Sequence, residues 1–255
     1  MNNTLLLLAP AINVLVTGLF AGVVLGQYFK RRHSYQLYWS IALSMAFLAT
    51  LAYIGMIIVH PTSGVGTMLF RTYYALGGAI MPAWLGLGSI ALVCSKRFTE
   101  ICRRVLCVLS FLAVMLVSVA PINMAKLQGI VGTPGTGTLE TGPWLIMVIM
   151  LNTLGVIAVA GVALYSGWKL MRHQKSLAGN RTSNIVWANS FIFIGAILDG
   201  AAGTLARFLG LQSIFWLIMA LGWVVLFLGV LLASWRPQST KQTAIADETT
   251  RTAHI

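Results

Sequence analysis

Apolar residues run through this chain in long blocks, and polar residues gather in the gaps between them. A helix rises about 1.5 Å per residue, so about 20 apolar residues cross a hydrocarbon core of about 30 Å. Seven stretches reach that length, at roughly 5–29, 36–59, 67–94, 105–123, 143–170, 185–209 and 213–235. Charged or turn-rich segments separate them: Lys30–His33, Pro61–Gly64, Ser95–Arg104, the Gly/Thr-rich run 124–142, Arg172–Asn184 and a short turn at Leu211–Gln212. The pattern predicts an all-α, polytopic membrane protein: one seven-helix bundle over 1–235, followed by a short polar tail over 236–255.

Composition agrees: 58% of residues are hydrophobic and 9% charged, where a soluble domain has about a quarter charged. The net charge of +12 comes from 17 basic residues against 5 acids. Only Arg71, Lys126 and Arg207 fall in one set of alternate loops and helix ends; the other fourteen basic residues fall in the opposite set. Basic loops stay in the cytoplasm, which predicts an outside N-terminus, a cytoplasmic C-terminus and a multi-pass position in the cell membrane. Tryptophans prefer the interfaces, and Trp39, Trp168, Trp187 and Trp235 lie at inner ends, Trp144 and Trp216 at outer ends. The first span is too long for a signal sequence and is expected to be retained. The bilayer is the expected partner of the basic loops, through anionic headgroups, so the charge requires no nucleic acid.

Two segments align without a gap. Asn13–Lys30 (NVLVTGLFAGVVLGQYFK) matches Asn152–Lys169 (NTLGVIAVAGVALYSGWK) at both ends and at the Ala-Gly-Val between them. Phe70 with Ala75–Gly77 has the spacing of Phe215 with Ala220–Gly222. Shared apolar residues follow from composition alone, but Asn and Lys in register are harder to derive that way. A duplication would make spans 1–3 and 5–7 parallel repeats joined by the fourth, around a pseudo-two-fold axis along the membrane normal. Such a 3+1+3 layout resembles that of the SWEET sugar transporters, the nicotinamide riboside carriers and the microbial rhodopsins. SWEET proteins carry Pro-Gln pairs within their repeats, whereas the one Pro-Gln here, Pro237–Gln238, lies beyond the seventh span, and the seventh span has no lysine to carry retinal. Tyr74–Leu85 (YALGGAIMPAWL) is similar to part of the seven-helix sensor region of some bacterial histidine kinases.

Ionisable groups are expensive inside a membrane, so each one asks for a reason. Asp199 is the only acid within a predicted span, near the middle of the sixth. Gly195, Asp199, Gly203 and Arg207 recur at steps of four and share a face. That stripe fits either a packing seam or the wall of a cavity. At 1.5 Å per residue Asp199 lies about 15 Å from the outer helix end. Asn13 and Thr17, Thr50 and Tyr53, Asn152 and Thr153, and Trp223 fall at similar depths, and Tyr73, Tyr74 and Gly77–Gly78 precede Pro82. An outer-half ligand pocket would draw on Asp199, Asn152, Thr153, Asn13, Tyr53, Tyr73, Tyr74 and Trp223. Arg71 and Arg207 either snorkel to headgroups or serve as charge partners of Asp199.

Other chemistry lacks its parts. Cys94, Cys102 and Cys107 have no zinc spacing, and the four histidines are scattered, so neither a metal site nor a cofactor is expected. His60 and Ser63 are loop neighbours without a nucleophile elbow. The run 132–138 (GTPGTGT) lacks the Lys of a phosphate loop and reads as a flexible connection. The expectation is a non-enzymatic protein, first a carrier or channel for a small solute. The alternative is a membrane sensor or ligand-binding protein, which would need a separate signalling partner because the tail holds no output domain. A homo-oligomer is a further expectation.

Overall fold

The computed structural model describes Asn3–His173 and Asn180–Ser234. Lys175, Trp235 and the tail 236–255 lie outside the described residues. Long apolar blocks satisfy their backbone groups within a helix, and the elements are α1 (Asn3–Arg31), α2 (Ser34–Ile58), α3 (Gly64–Tyr73), a π turn (Tyr74–Ile80), α4 (Met81–Val93), α5 (Lys96–Val119), α6 (Met124–Gln128), α7 (Pro143–His173), α8 (Asn180–Phe208) and α9 (Phe215–Ser234). α3, the π turn and α4 make one continuous span, Gly64–Val93, so seven helical spans are long and apolar enough to cross a membrane.

The fourth span starts at Lys96 rather than near 105. Ser95 Oγ accepts from Phe98 N–H at 3.4 Å, and Glu100 one turn on holds Arg103 and Arg104 at 2.9 and 3.4 Å. An N-cap and i,i+3/i+4 ion pairs give helical form to a stretch whose charge resembles a loop.

Six spans form a ring in the order α1, α2, α3–α4, α7, α8, α9, closing on α1, while α5 packs outside against the π turn, α4 and α7. α4 and α7 approach at backbone distance: a Cβ on Gly86 would lie 3.0 Å from Gly155 Cα. Every ring helix sends a residue into one apolar cluster, with Phe20, Leu43, Leu85, Val159, Ala196 and Leu226 among them. That cluster fills the ring toward the ends that carry Arg31 and Lys169.

The run 120–142 is packed, in contrast to the flexible connection its composition suggests. Leu127, Ile130 and Leu139 are buried, and Ile122 bridges Leu139. Three side chains from the ring hold it from below. Tyr53 Oη donates to Ile130 O (3.1 Å) and accepts from Gly132 N–H (2.9 Å); Tyr73 Oη donates to Pro134 O (3.2 Å); Trp216 Nε1 donates to Thr133 O (3.4 Å). Gly132, Gly135 and Gly137 turn at φ of 81°, 71° and 78°, where a side chain would be strained. The run is a cap over this end of the ring.

Candidate functional site

The π turn follows from its sequence. In an α-helix each N–H bonds the carbonyl four residues back, and four residues after Gly78 stands Pro82, which has no N–H. Met81 N–H instead reaches back five residues to Leu76 O, the π spacing. Asn152 Nδ2, on α7, donates to Gly78 O at 2.9 Å. The side chain supplies the hydrogen bond that the proline cannot.

Beside this turn lies a cavity of about 680 Å³, walled by the third span, α7, α8 and α9, with Pro134 and Thr136 of the cap at its edge. Of the ten candidate residues, seven line it: Tyr73 and Tyr74, Asn152 and Thr153, Asp199 and Arg207, and Trp223. Its floor is apolar, formed by Met81, Leu85, Val159 and Leu226, which belong to the cluster that fills the rest of the ring.

The other three candidates lie elsewhere. Asn13 Nδ2 donates to Ala9 O (2.9 Å) and to Trp216 O (3.1 Å), tying α1 to α9. Tyr53 holds the cap. Arg71 Nη1 donates to Val117 O at 2.6 Å, where α5 ends. Depth along a helix is legible in sequence; the direction in which a residue faces is less so.

Asp199 lines the cavity, but both carboxyl oxygens are shielded from solvent and have no hydrogen-bond partner. A Cβ on Gly222 would overlap Asp199 Oδ1, so the glycine is what lets α9 pass the carboxyl. Among the described residues the ion pairs are those of Glu100 with Arg103 and Arg104, so neither Arg71 nor Arg207 is joined to Asp199. Arg207 Nη2 donates to Tyr74 Oη at 2.6 Å, and its guanidinium lies 5.5 Å from the centre of the Trp144 ring. Tyr74 and Trp144 meet edge to face at 5.4 Å. Asn152 Oδ1 is a second shielded, unpartnered acceptor. Buried polar atoms without partners cost about 1–3 kcal/mol each; Asn13 Oδ1, Gln36 Oε1 and Trp39 Nε1 are further cases away from the cavity, and Asp199 is the one acid among these side chains.

Sequence reasoning missed the cap residues Pro134 and Thr136, Thr204 on α8, and the part played by Trp144. Trp144 stood out only as an interface marker. Among the described residues no group of three His, Cys, Asp or Glu could hold a metal ion. The chain matches no protein-family model, no curated protein and no solved structure.

Proposed function

We propose that this is a non-enzymatic carrier that binds a small solute in the cavity beside the π turn and moves it across the membrane. The observation that carries the reading is the convergence of polar side chains from four spans on one cavity above an apolar floor. The charge asymmetry supports an outside N-terminus and a cytoplasmic C-terminus, with the capped end outside. Reporter fusions at Thr136 and Ser239 are expected to signal from outside and from the cytoplasm; a cytoplasmic signal at Thr136 reverses the orientation.

The ring order is compatible with the duplication. Relating span 1 to 5, 2 to 6 and 3 to 7 maps every contact of the ring onto another contact of the ring. Asn13 and Asn152, matched in the alignment, each donate to a backbone carbonyl of the third helix of the opposite triplet. The acceptors, Trp216 and Gly78, are not themselves matched positions, so any symmetry is approximate there.

A sensor is the second reading, favoured by the apolar floor that ends the cavity midway through the ring. It would act through a separate partner or a second copy of the chain. Proteoliposome uptake over a panel of small solutes, with thermal unfolding of the same samples, separates the two. A carrier gives flux for the solute that stabilises it; stabilisation with no flux selects the sensor. Asp199→Asn keeps the size of the side chain and is expected to preserve folding while abolishing the response. An unchanged response and pH profile would leave the carboxyl as packing alone.

A further inference from the structure

The cavity does not stay inside the ring. On α7, Asn152 faces inward to Gly78 O, and Val156 faces α8, where a Cβ on Gly200 would lie 2.9 Å from Val156 Cγ2. Ile149, Thr153 and Ile157 lie beyond that contact, exposed on the outer surface of the bundle, and they line the same cavity. α8 answers with Ile197, Thr204 and Phe208, which also line it and are also exposed. Lined by residues on the inner and the outer faces of α7, the cavity reaches the α7–α8 side of the bundle. Above it, Tyr53, Tyr73 and Trp216 hold the cap across the end of the ring. This opening faces the side of the bundle, where a membrane protein meets acyl chains, and is separate from the approach at the capped end, where Pro134 and Thr136 edge the cavity.

The accessible charge in this space is positive. The Asp199 oxygens are covered at the Gly222 contact, whereas Arg207 is partly exposed and has no acidic partner among the described residues. A guanidinium with donors to spare in a sparsely hydrated site selects a carboxylate or phosphate oxygen. The floor of Met81, Leu85, Val159 and Leu226 offers nothing to hydrogen-bond and suits a hydrocarbon chain. A volume of about 680 Å³ is in the usual range for sites that enclose a small molecule.

We infer that the site takes a single-chain amphiphile with an acidic headgroup, which enters from the bilayer between α7 and α8 and sets its headgroup against Arg207. The inference rests on the reading of this cavity as a ligand site, and it names the ligand class.

The test uses the full-length protein in nanodiscs of neutral phosphatidylcholine and a fatty acid carrying a photoactivatable group near the end of its chain. After irradiation, labelled residues are mapped by mass spectrometry. Label is expected on the floor, at Met81, Leu85, Val159 and Leu226 and the residues beside them. Unlabelled fatty acid and lysophosphatidic acid are both expected to compete it away; preference for one of them identifies the natural headgroup. The matching fatty alcohol should compete at least about tenfold less well, the scale of one charge-assisted contact. Arg207→Gln should lower the competable label by a similar factor. A Cβ on Gly203 or on Gly161 meets nothing within 4 Å, so a larger side chain has room at both. Gly203→Phe fills the cavity and should abolish competable label, while Gly161→Phe, on α7 but off the cavity, should leave it unchanged. Label spread over all outer helix faces, or label that no acid displaces, overturns the inference. If a hydrophilic solute from the uptake panel then still stabilises the protein, the ligand-site reading survives without the amphiphile. If nothing stabilises it, both fall.

Discussion

A glycine opposite a carboxylate sets the distance between α8 and α9. Gly222 has no side chain where Asp199 Oδ1 needs room, and Gly195 and Gly229 allow similar approaches one and two turns further along the same seam, both on one side of it. Gly222→Ala puts a methyl group into an occupied place, and overpacking of this kind costs about 1–3 kcal/mol. The cost should depend on the carboxyl. In an Asp199→Ala background the added Cβ meets chiefly the backbone N of residue 199, at 3.1 Å, a contact that a shift of a few tenths of an ångström relieves. Unfolding of the four proteins of the double-mutant cycle is expected to give a coupling of at least about 1 kcal/mol. Additive losses would mean that the glycine serves the seam in general and not the aspartate. The sequence marked Asp199 because carboxyls are scarce in membrane helices, and it marked the small residues of its own helix. It did not mark Gly222, because a close approach becomes visible only when two helices are placed side by side.

At the scale of the element, the third span carries its own irregularity. Gly77–Gly78 and Pro82 stood out in the third span beside the polar layer, and Asn152 as a polar residue at matching depth. What joins them is the carbonyl of Gly78, which loses its donor to the proline and gains one from Asn152. Interhelical hydrogen bonds in membranes contribute about 0.6 kcal/mol on average and up to about 1.7. Asn152→Leu is expected to cost about that much in a thermal or denaturant titration. The loss should shrink in a Pro82→Ala background, where residue 82 regains an N–H for the carbonyls one turn back. An equal loss in both backgrounds would separate Asn152 from the proline. The start of α5 and the cap were less legible for related reasons. Lys96–Arg104 has the charge of a loop, and the run 124–142 has the glycine and threonine of one. Their order comes from partners that composition cannot supply: Glu100 within the helix, and Tyr53, Tyr73 and Trp216 from three other spans.

For the whole molecule, block lengths alone placed seven spans, because few other arrangements satisfy that many apolar residues in succession. The order of the spans around the ring was not legible, since an apolar helix offers similar surface in every direction. That order decides what the cavity can do. As the ring stands, the space beside Asp199 reaches the capped end and the α7–α8 side, and the cluster around Leu85, Val159 and Leu226 closes it from the end that carries Arg31 and Lys169. A carrier must open that cluster at some point in its cycle, whereas a sensor need not. Gly203→Cys reports the difference, because it places a thiol in open space within the cavity. The native Cys94, Cys102 and Cys107 are first replaced by serine, since all three are free thiols. A membrane-impermeant maleimide is then applied to one face of sealed proteoliposomes at a time, with orientation fixed by the position of an affinity tag. Reaction from the capped side is expected in either case. Reaction from the opposite side, at a rate that rises when transportable solute is present, is expected of the carrier and requires the apolar cluster to part. A thiol that reacts only from the capped side, with and without solute, would leave the cavity with one entrance and turn the proposal from transport to sensing.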